Sequence, residues 1–101
     1  MVQYVIAYRG GTMQGSPEDG AAQRAKFNDW LAGLGDAVVN PGTPLGSSRL
    51  VTQAGVSPAP PERLIGFSII SAESLESALA IAQRCPFLDI GTIEVGEVLS
   101  M

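Results

Sequence analysis

Residues 2–8 alternate. Val2, Tyr4, Ile6 and Tyr8 share one side of an extended chain, and Gln3, Val5, Ala7 and Arg9 share the other. Apolar residues fall on both sides, so both faces of this first strand need cover. Gly10-Gly11 breaks it. From residue 17 the period lengthens. Phe27, Trp30, Leu31 and Leu34 recur at i, i+3, i+4 and i+7, the apolar stripe of a helix. Ser16 stands where a cap belongs, Pro17 suits the first helical position, and Asp19 sits where a capping box wants an acid. Glu18 and Asp19 complement the positive helix end, and Gly33 and Gly35 offer a stop. The spacing predicts a helix over 17–34.

Residues 36–40 and 47–53 read as two extended pieces of one irregular strand or hairpin arm, separated by Asn-Pro-Gly at 40–42. Segments 40–48 and 53–62 read as loops, and Pro58, Pro60 and Pro61 bar the second from being regular strand throughout. Residues 64–70 form the clearest strand. Ile65, Phe67 and Ile69 share a face, while small Gly66 and Ser68 on the other admit a close backbone or ligand. Residues 71–74 supply caps for a second helix with the stripe Leu75, Ala78, Leu79 and Ala82, ended by Pro86. A last strand runs over 92–99, with Gly96 a plausible bulge.

The order β-α-β-β-α-β predicts an α+β, ferredoxin-like fold, a four-stranded antiparallel sheet with both helices on one face. The opposite face, expected to present Tyr4, Ile6, Ile69 or their neighbours, calls for cover that a chain of 101 residues lacks. The economical solution is a homodimer, two sheets packed face to face across a two-fold axis. A ligand groove is the alternative. One domain over 1–101 is expected.

Composition narrows the function classes. Apolar residues make up 46% and charged residues 16%, which excludes a disordered chain. The longest near-apolar run, 64–70, falls well short of the roughly 20 residues of a membrane span. Net charge is −4, and the six basic residues are scattered, so neither nucleic acid nor an anionic membrane is an expected partner. The N-terminal residues read as a strand rather than a signal peptide, and the lone Cys85 fits a reducing, cytoplasmic location. With one cysteine and no histidine, zinc or copper sites of the usual kind are excluded, and no cofactor is implied.

The candidate site residues each have a functional and a structural reading. Trp30 is the aromatic wall of a pocket or a core residue of the first helix. Asn40 and Thr43 belong to a Gly/Pro-rich segment that wraps a polar ligand or simply turns; no Gly-Lys-Ser/Thr follows, so it is not a phosphate loop. Arg9 and Arg49 either fork onto a carboxylate or lie at the surface, with Glu94 a possible mate. Asp89 is a general base if desolvated, otherwise a turn cap or an arginine partner. Cys85, near a helix C-terminus, has a raised thiol pKa and reads as a small buried apolar residue.

The ordered set Tyr4 to Tyr8, Phe27-x-x-Trp30-Leu31-x-x-Leu34, Asn40-Pro-Gly-Thr-Pro-Leu-Gly46, Gly66-Phe-Ser-Ile-Ile-Ser-Ala72 and Cys85-Pro-Phe-Leu-Asp-Ile-Gly-Thr-Ile-Glu-Val95 resembles the YCII-related (DGPF-domain) proteins. The resemblance implies a dimeric α+β barrel in a small bacterial cytoplasmic protein. In some members it implies an enzyme, with a His–Asp pair in a pocket beside the barrel. The histidine of such members would fall at or near Trp30. This chain has no histidine, and 54–63 replaces the Asp-Gly-Pro-Phe motif. The first reading is therefore a protein that binds a small polar or aromatic molecule without catalysis. The alternative is a cofactor-free oxygenase, isomerase or lyase whose pocket is lined by Tyr4, Tyr8, Trp30 and Phe67, with Asp89 or Arg49 as the polar actor. An interaction module for a larger partner is a third, for which the chain offers no motif.

Overall fold

Residues 2–11 and 17–99 are described by the computed structural model. Strand β1 (Val2–Gly10) leads to α1 (Pro17–Leu34), which has the bounds its periodicity predicts. The expected Ser16 cap and the side chain of Asp19 lie outside the described residues. A 3-10 turn, Gly35–Ala37, delivers the chain into β2 (Val38–Pro44). Strands β3 (Arg49–Thr52) and β4 (Gly55–Pro58) form a separate two-stranded ribbon. Then come β5 (Leu64–Ala72), α2 (Leu75–Ala82), a 3-10 turn Pro86–Asp89, and β6 (Gly91–Glu97).

The main sheet has the order β2-β5-β1-β6, antiparallel throughout. With the ribbon set aside, this is the ferredoxin-like arrangement expected from the element order. Beneath the helices lies one core: Tyr4, Ile6 and Tyr8 from β1, Ile70 and Ala72 from β5, Ala78 and Ala82 from α2, then Cys85 and Phe87. Phe27, Trp30 and Leu34 of α1 pack on it from above.

Four expectations need correction. First, Tyr4 and Ile6 do not face away from the helices; they are 3% and 0% exposed beneath them. Val5, Ala7, Phe67 and Ile69, half-buried and outside that core, take the helix-free side instead. Both faces of β1 are apolar, so alternation alone cannot choose between them. Second, residues 38–44 and 49–52 are not pieces of one strand. Val38–Pro44 pairs with β5 through two register irregularities, at Val38/Asn40 and Asn40/Thr43, which absorb the Asn-Pro-Gly. Arg49–Thr52 pairs with Gly55–Pro58, turning on Gln53-Ala54, with Gly55 at φ +124°. Pro58 ends that ribbon, a position where its missing N–H costs no ladder bond in the main sheet. Third, Gly96 is not a bulge. It pairs in unbroken register with Val5, and β1 is irregular instead between Tyr8 and Arg9. Fourth, α2 presents Ala78 and Ala82 to the core with Ile81 beside them, and leaves Leu75 and Leu79 45% and 41% exposed. Ser74 caps this helix, its Oγ accepting the Ser77 N–H at 3.2 Å. Pro86 begins the following 3-10 turn rather than stopping α2 directly.

Candidate functional site: the cleft between α1 and the β2–β5 edge

A buried polar relay ties β1, β5 and β2 together. Ser68 is fully enclosed on β5. Its Oγ donates to the Pro41 carbonyl at 2.8 Å and lies 2.9 Å from the Tyr8 hydroxyl. A carbonyl only accepts, so the Ser68 proton is committed to Pro41, and the Tyr8 phenol must donate to Ser68. Burial pushes the Tyr8 phenol well above its ordinary value, opposed in part by the Ser68 hydrogen bond and reinforced by Cys85. Tyr8 is therefore a neutral donor at physiological pH, not a base. Next to Pro41, the Asn40 Oδ1 accepts the Gly42 N–H at 2.7 Å, an Asx turn. Gly42 sits at φ +80°, and a Cβ there would land on the Phe67 carbonyl. Only glycine lets β2 pass β5 this closely.

Tyr8 and Pro41, the two partners of Ser68, line a cleft of about 400 Å³. One side of α1 supplies a wall: Gln23, Arg24, Phe27, Asn28 and Leu31 recur at helical spacing. Pro41 to Pro44 of β2 supply the other, and Phe87 and Ile90 close an end. Three aromatic rings meet here. Tyr8 meets Phe27 edge-on at 5.2 Å and 78°, and Phe87 at 5.3 Å and 57°. Gln23 is tied down by donating from Nε2 to the Pro86 carbonyl at 2.8 Å. Among the described residues, no carboxylate or thiol lines the cleft, and the chain has no histidine. The arrangement can hold a flat apolar ring against aromatic walls and offer it polar contacts at Asn28, Thr43 and Arg24.

Of the residues singled out from sequence, Tyr8, Thr43 and Phe67 touch this cleft. Alternation along β5 sends the Phe67 ring to the helix-free side, however. Trp30 lies one step behind the wall, its ring 5.7 Å from Phe27 and packed on the core. Asn40 shapes the loop without lining the cleft. Tyr4 is enclosed below the helices, its phenol pKa raised by burial and by Glu97 and Glu76. Asp89 ends the Pro86–Asp89 turn and is exposed. Arg9 and Arg49 belong to a separate depression on the other side of the sheet. There Arg9 pairs with Glu94 at 2.8 Å. Cys85 is buried, and desolvation pushes its thiol up to about 11. Sequence reasoning missed Gln23, Arg24, Asn28 and Phe87. The first three follow Gly20 on one helical face, a signal hidden because that face is polar toward its mouth. Among the described residues, no three acidic, cysteine or histidine side chains gather as a metal site would require.

Among curated proteins, none matches this chain. Among solved structures, 5-chloro-2-hydroxyhydroquinone dehydrochlorinase (TftG) from Burkholderia phenoliruptrix AC1100, in complex with 2,5-dihydroxybenzoquinone, is similar with a TM-score of 0.61 and 20% identity. The alignment covers 96% of this chain and 93% of that one, and at this identity it shows a shared fold. The profile of the YCII-related domain matches residues 2–101. The chain thus belongs to the YCII-related domain family.

Proposed function

We propose that the protein binds a small, flat, oxygenated ring compound in the α1 cleft and does not transform it. The observation that carries this reading is the lining: Tyr8, Phe27 and Phe87 form an aromatic pocket, yet no side chain there among the described residues is fit to act as a base near neutral pH. A volume of about 400 Å³ falls in the range of small-molecule sites. The structural neighbour, solved with a dihydroxybenzoquinone, supports the ligand class by fold-level analogy. A second, catalytic reading has the neighbour's dehydrochlorinase activity in its favour. Here it would have to run on the Tyr8 phenol as proton donor.

A panel of hydroquinone, benzoquinone and 2,5-dihydroxybenzoquinone, titrated while amide NMR shifts are followed, separates these readings. Saturable shifts at Gln23, Phe27, Leu31 and Thr43, with the ring recovered unchanged, support binding. Conversion of the ring that is lost in Tyr8→Phe supports catalysis. Absence of shifts in the cleft across the panel sinks both.

The same reading includes a homodimer, supported by the half-exposed apolar residues Val5, Ala7, Phe67 and Ile69 on the side without helices. It also includes a cytoplasmic location, which suits a lone thiol held protonated by burial.

A further inference from the structure

We infer that the depression at the Arg9 end of the helix-free side is a second binding site, built for a small organic carboxylate. It has a volume of about 460 Å³ and shares no lining residue with the α1 cleft. Its walls come from four stretches of chain: the end of β1, the segment entering β3, the return from β4 into β5, and Glu94 of β6.

Charge is the first argument. The chain carries six basic residues and a net charge of −4, yet Arg9, Arg49 and Arg63 all line this one depression. Two acids, Glu62 and Glu94, line it with them. Only Arg9 is matched: its Nη1 donates to Glu94 at 2.8 Å and its Nε to the Glu62 carbonyl at 3.1 Å. Among the described residues, Arg49 and Arg63 form no ion pair. Each uses Nη1 on a main-chain carbonyl, Arg49 on Ser48 at 2.8 Å and Arg63 on Gly46 at 3.0 Å. A guanidinium has five N–H groups, so each is held in place with a donor edge left over. That edge is the fork a carboxylate fits.

A second, independent observation comes from Ser48. Its Oγ is closed off from solvent and has no hydrogen-bond partner among the described residues, and Ser48 lines the same depression. Buried hydroxyls are nearly always matched, so this one holds an unused O–H, which a turn about its Cα–Cβ bond would present to a carboxylate held by the two guanidinium groups.

The ligand class follows from the balance of the lining. Three positive and two negative groups leave an excess of one, enough for a monoanion and too little for a phosphate dianion. Leu45, Leu50, Pro60 and Leu64 give the rest of the surface an apolar character, which suits a hydrocarbon body behind the carboxylate.

The test titrates benzoate, its neutral counterpart benzyl alcohol, and inorganic phosphate into the full chain, following amide and arginine Nε–H NMR signals. Benzoate is expected to saturate, with shifts at Ser48, Arg49 and Arg63. Benzyl alcohol and phosphate should each bind at least about tenfold more weakly, the scale of one charge-assisted hydrogen bond. Arg63→Gln should weaken benzoate by a similar factor. Arg49→Gln, at an exposed position, should do the same should Arg63→Gln disturb the fold, and Arg84→Gln should change nothing. Equal binding of benzoate and benzyl alcohol overturns the proposal, as do shifts confined to the α1 cleft. It is likewise overturned if the arginine variants alter the oligomeric state while benzoate leaves the signals unmoved, since those guanidinium groups then answer to acids of a second copy.

Discussion

The two faces of the four-stranded sheet receive alternate residues of the same strands and treat them differently. Under the helices, Ile6 and Ile70 are fully enclosed, and the buried Ser68 has both its partners, Tyr8 and Pro41. On the helix-free side, Val5, Ala7, Phe67 and Ile69 stay half-exposed, and Ser48 near the margin lacks a partner among the described residues. The first face is finished within one chain; the second is a surface still owed something. The difference arises from supply. Two helices can cover one side of a sheet, and the described residues form no third layer to lay on the other.

The comparison is broken most severely at its seam. Gly42→Ala places a Cβ on the Phe67 carbonyl at a φ of +80°, so β2 must leave β5. A loss above about 4 kcal/mol is expected, a large share of the stability of a domain this size. Near-native urea unfolding of this variant would show that β2 does not cross β5 as described. Next in size, Ile6→Ala should cost roughly 2–5 kcal/mol wherever it is measured. Ile69→Asp on the other face should act mainly through assembly, turning a dimer into a folded monomer by light scattering. If the wild-type chain is already monomeric at micromolar concentration, the helix-free face needs another explanation.

Ser68→Ala strands both the Tyr8 hydroxyl and the Pro41 carbonyl in the interior, and should cost about 1–3 kcal/mol. Ser71→Ala, one pleat away and half-buried on the other face, should stay within about 0.5 kcal/mol. Equal effects would erase the distinction between the faces.

Alkaline pH probes the enclosed side again. The Cys85 thiol rises from an ordinary value of 9.0 to about 11 in the fold, so the unfolded chain gives up its proton first. Stability is then unaffected below about pH 8 and falls as pH climbs through the interval from 9 to 11. Cys85→Ala should flatten the part of that interval between pH 9 and 10, as read from urea midpoints at successive pH. The Tyr8 phenol, raised from an ordinary value of 10.0, adds to the decline from about pH 10 upward. A small effect belongs to Glu94→Gln. The Arg9–Glu94 pair is 38% and 68% exposed at its two side chains, and its loss should cost under about 1 kcal/mol and vanish in high salt.

How much of this could be read in advance depended on how local the cause was. Helix α1 was legible to its bounds, because Phe27, Trp30 and Leu34 mark its face within a few turns and Gly35 ends it. The Ser74 cap was legible within its 71–74 window for the same reason. The β3–β4 ribbon was not, since Gln53-Ala54 lacks the turn chemistry that usually announces a hairpin. Gly66 and Ser68 were recognised as small residues that admit a close neighbour, and the neighbour proved to be β2, with Thr43 and Pro44 against Gly66 and Pro41 and Gly42 against Ser68. The cleft itself was only partly visible. Tyr8 and Thr43 were named, but Gln23, Arg24 and Asn28 are polar residues on a helix, indistinguishable by pattern from a solvated face.

Local propensity and spacing settled by themselves which stretches are helix, that the order of elements is ferredoxin-like, and that histidine-based chemistry is absent from this chain. The phase of β1, the partner of Ser68, and the gathering of Arg9, Arg49 and Arg63 at one end of the sheet were decided only by tertiary structure. Those features join residues up to 60 positions apart, as Tyr8 and Ser68 are. Alternation in a strand with two apolar faces is satisfied equally by either orientation, so the choice falls to whatever the helices find beneath them.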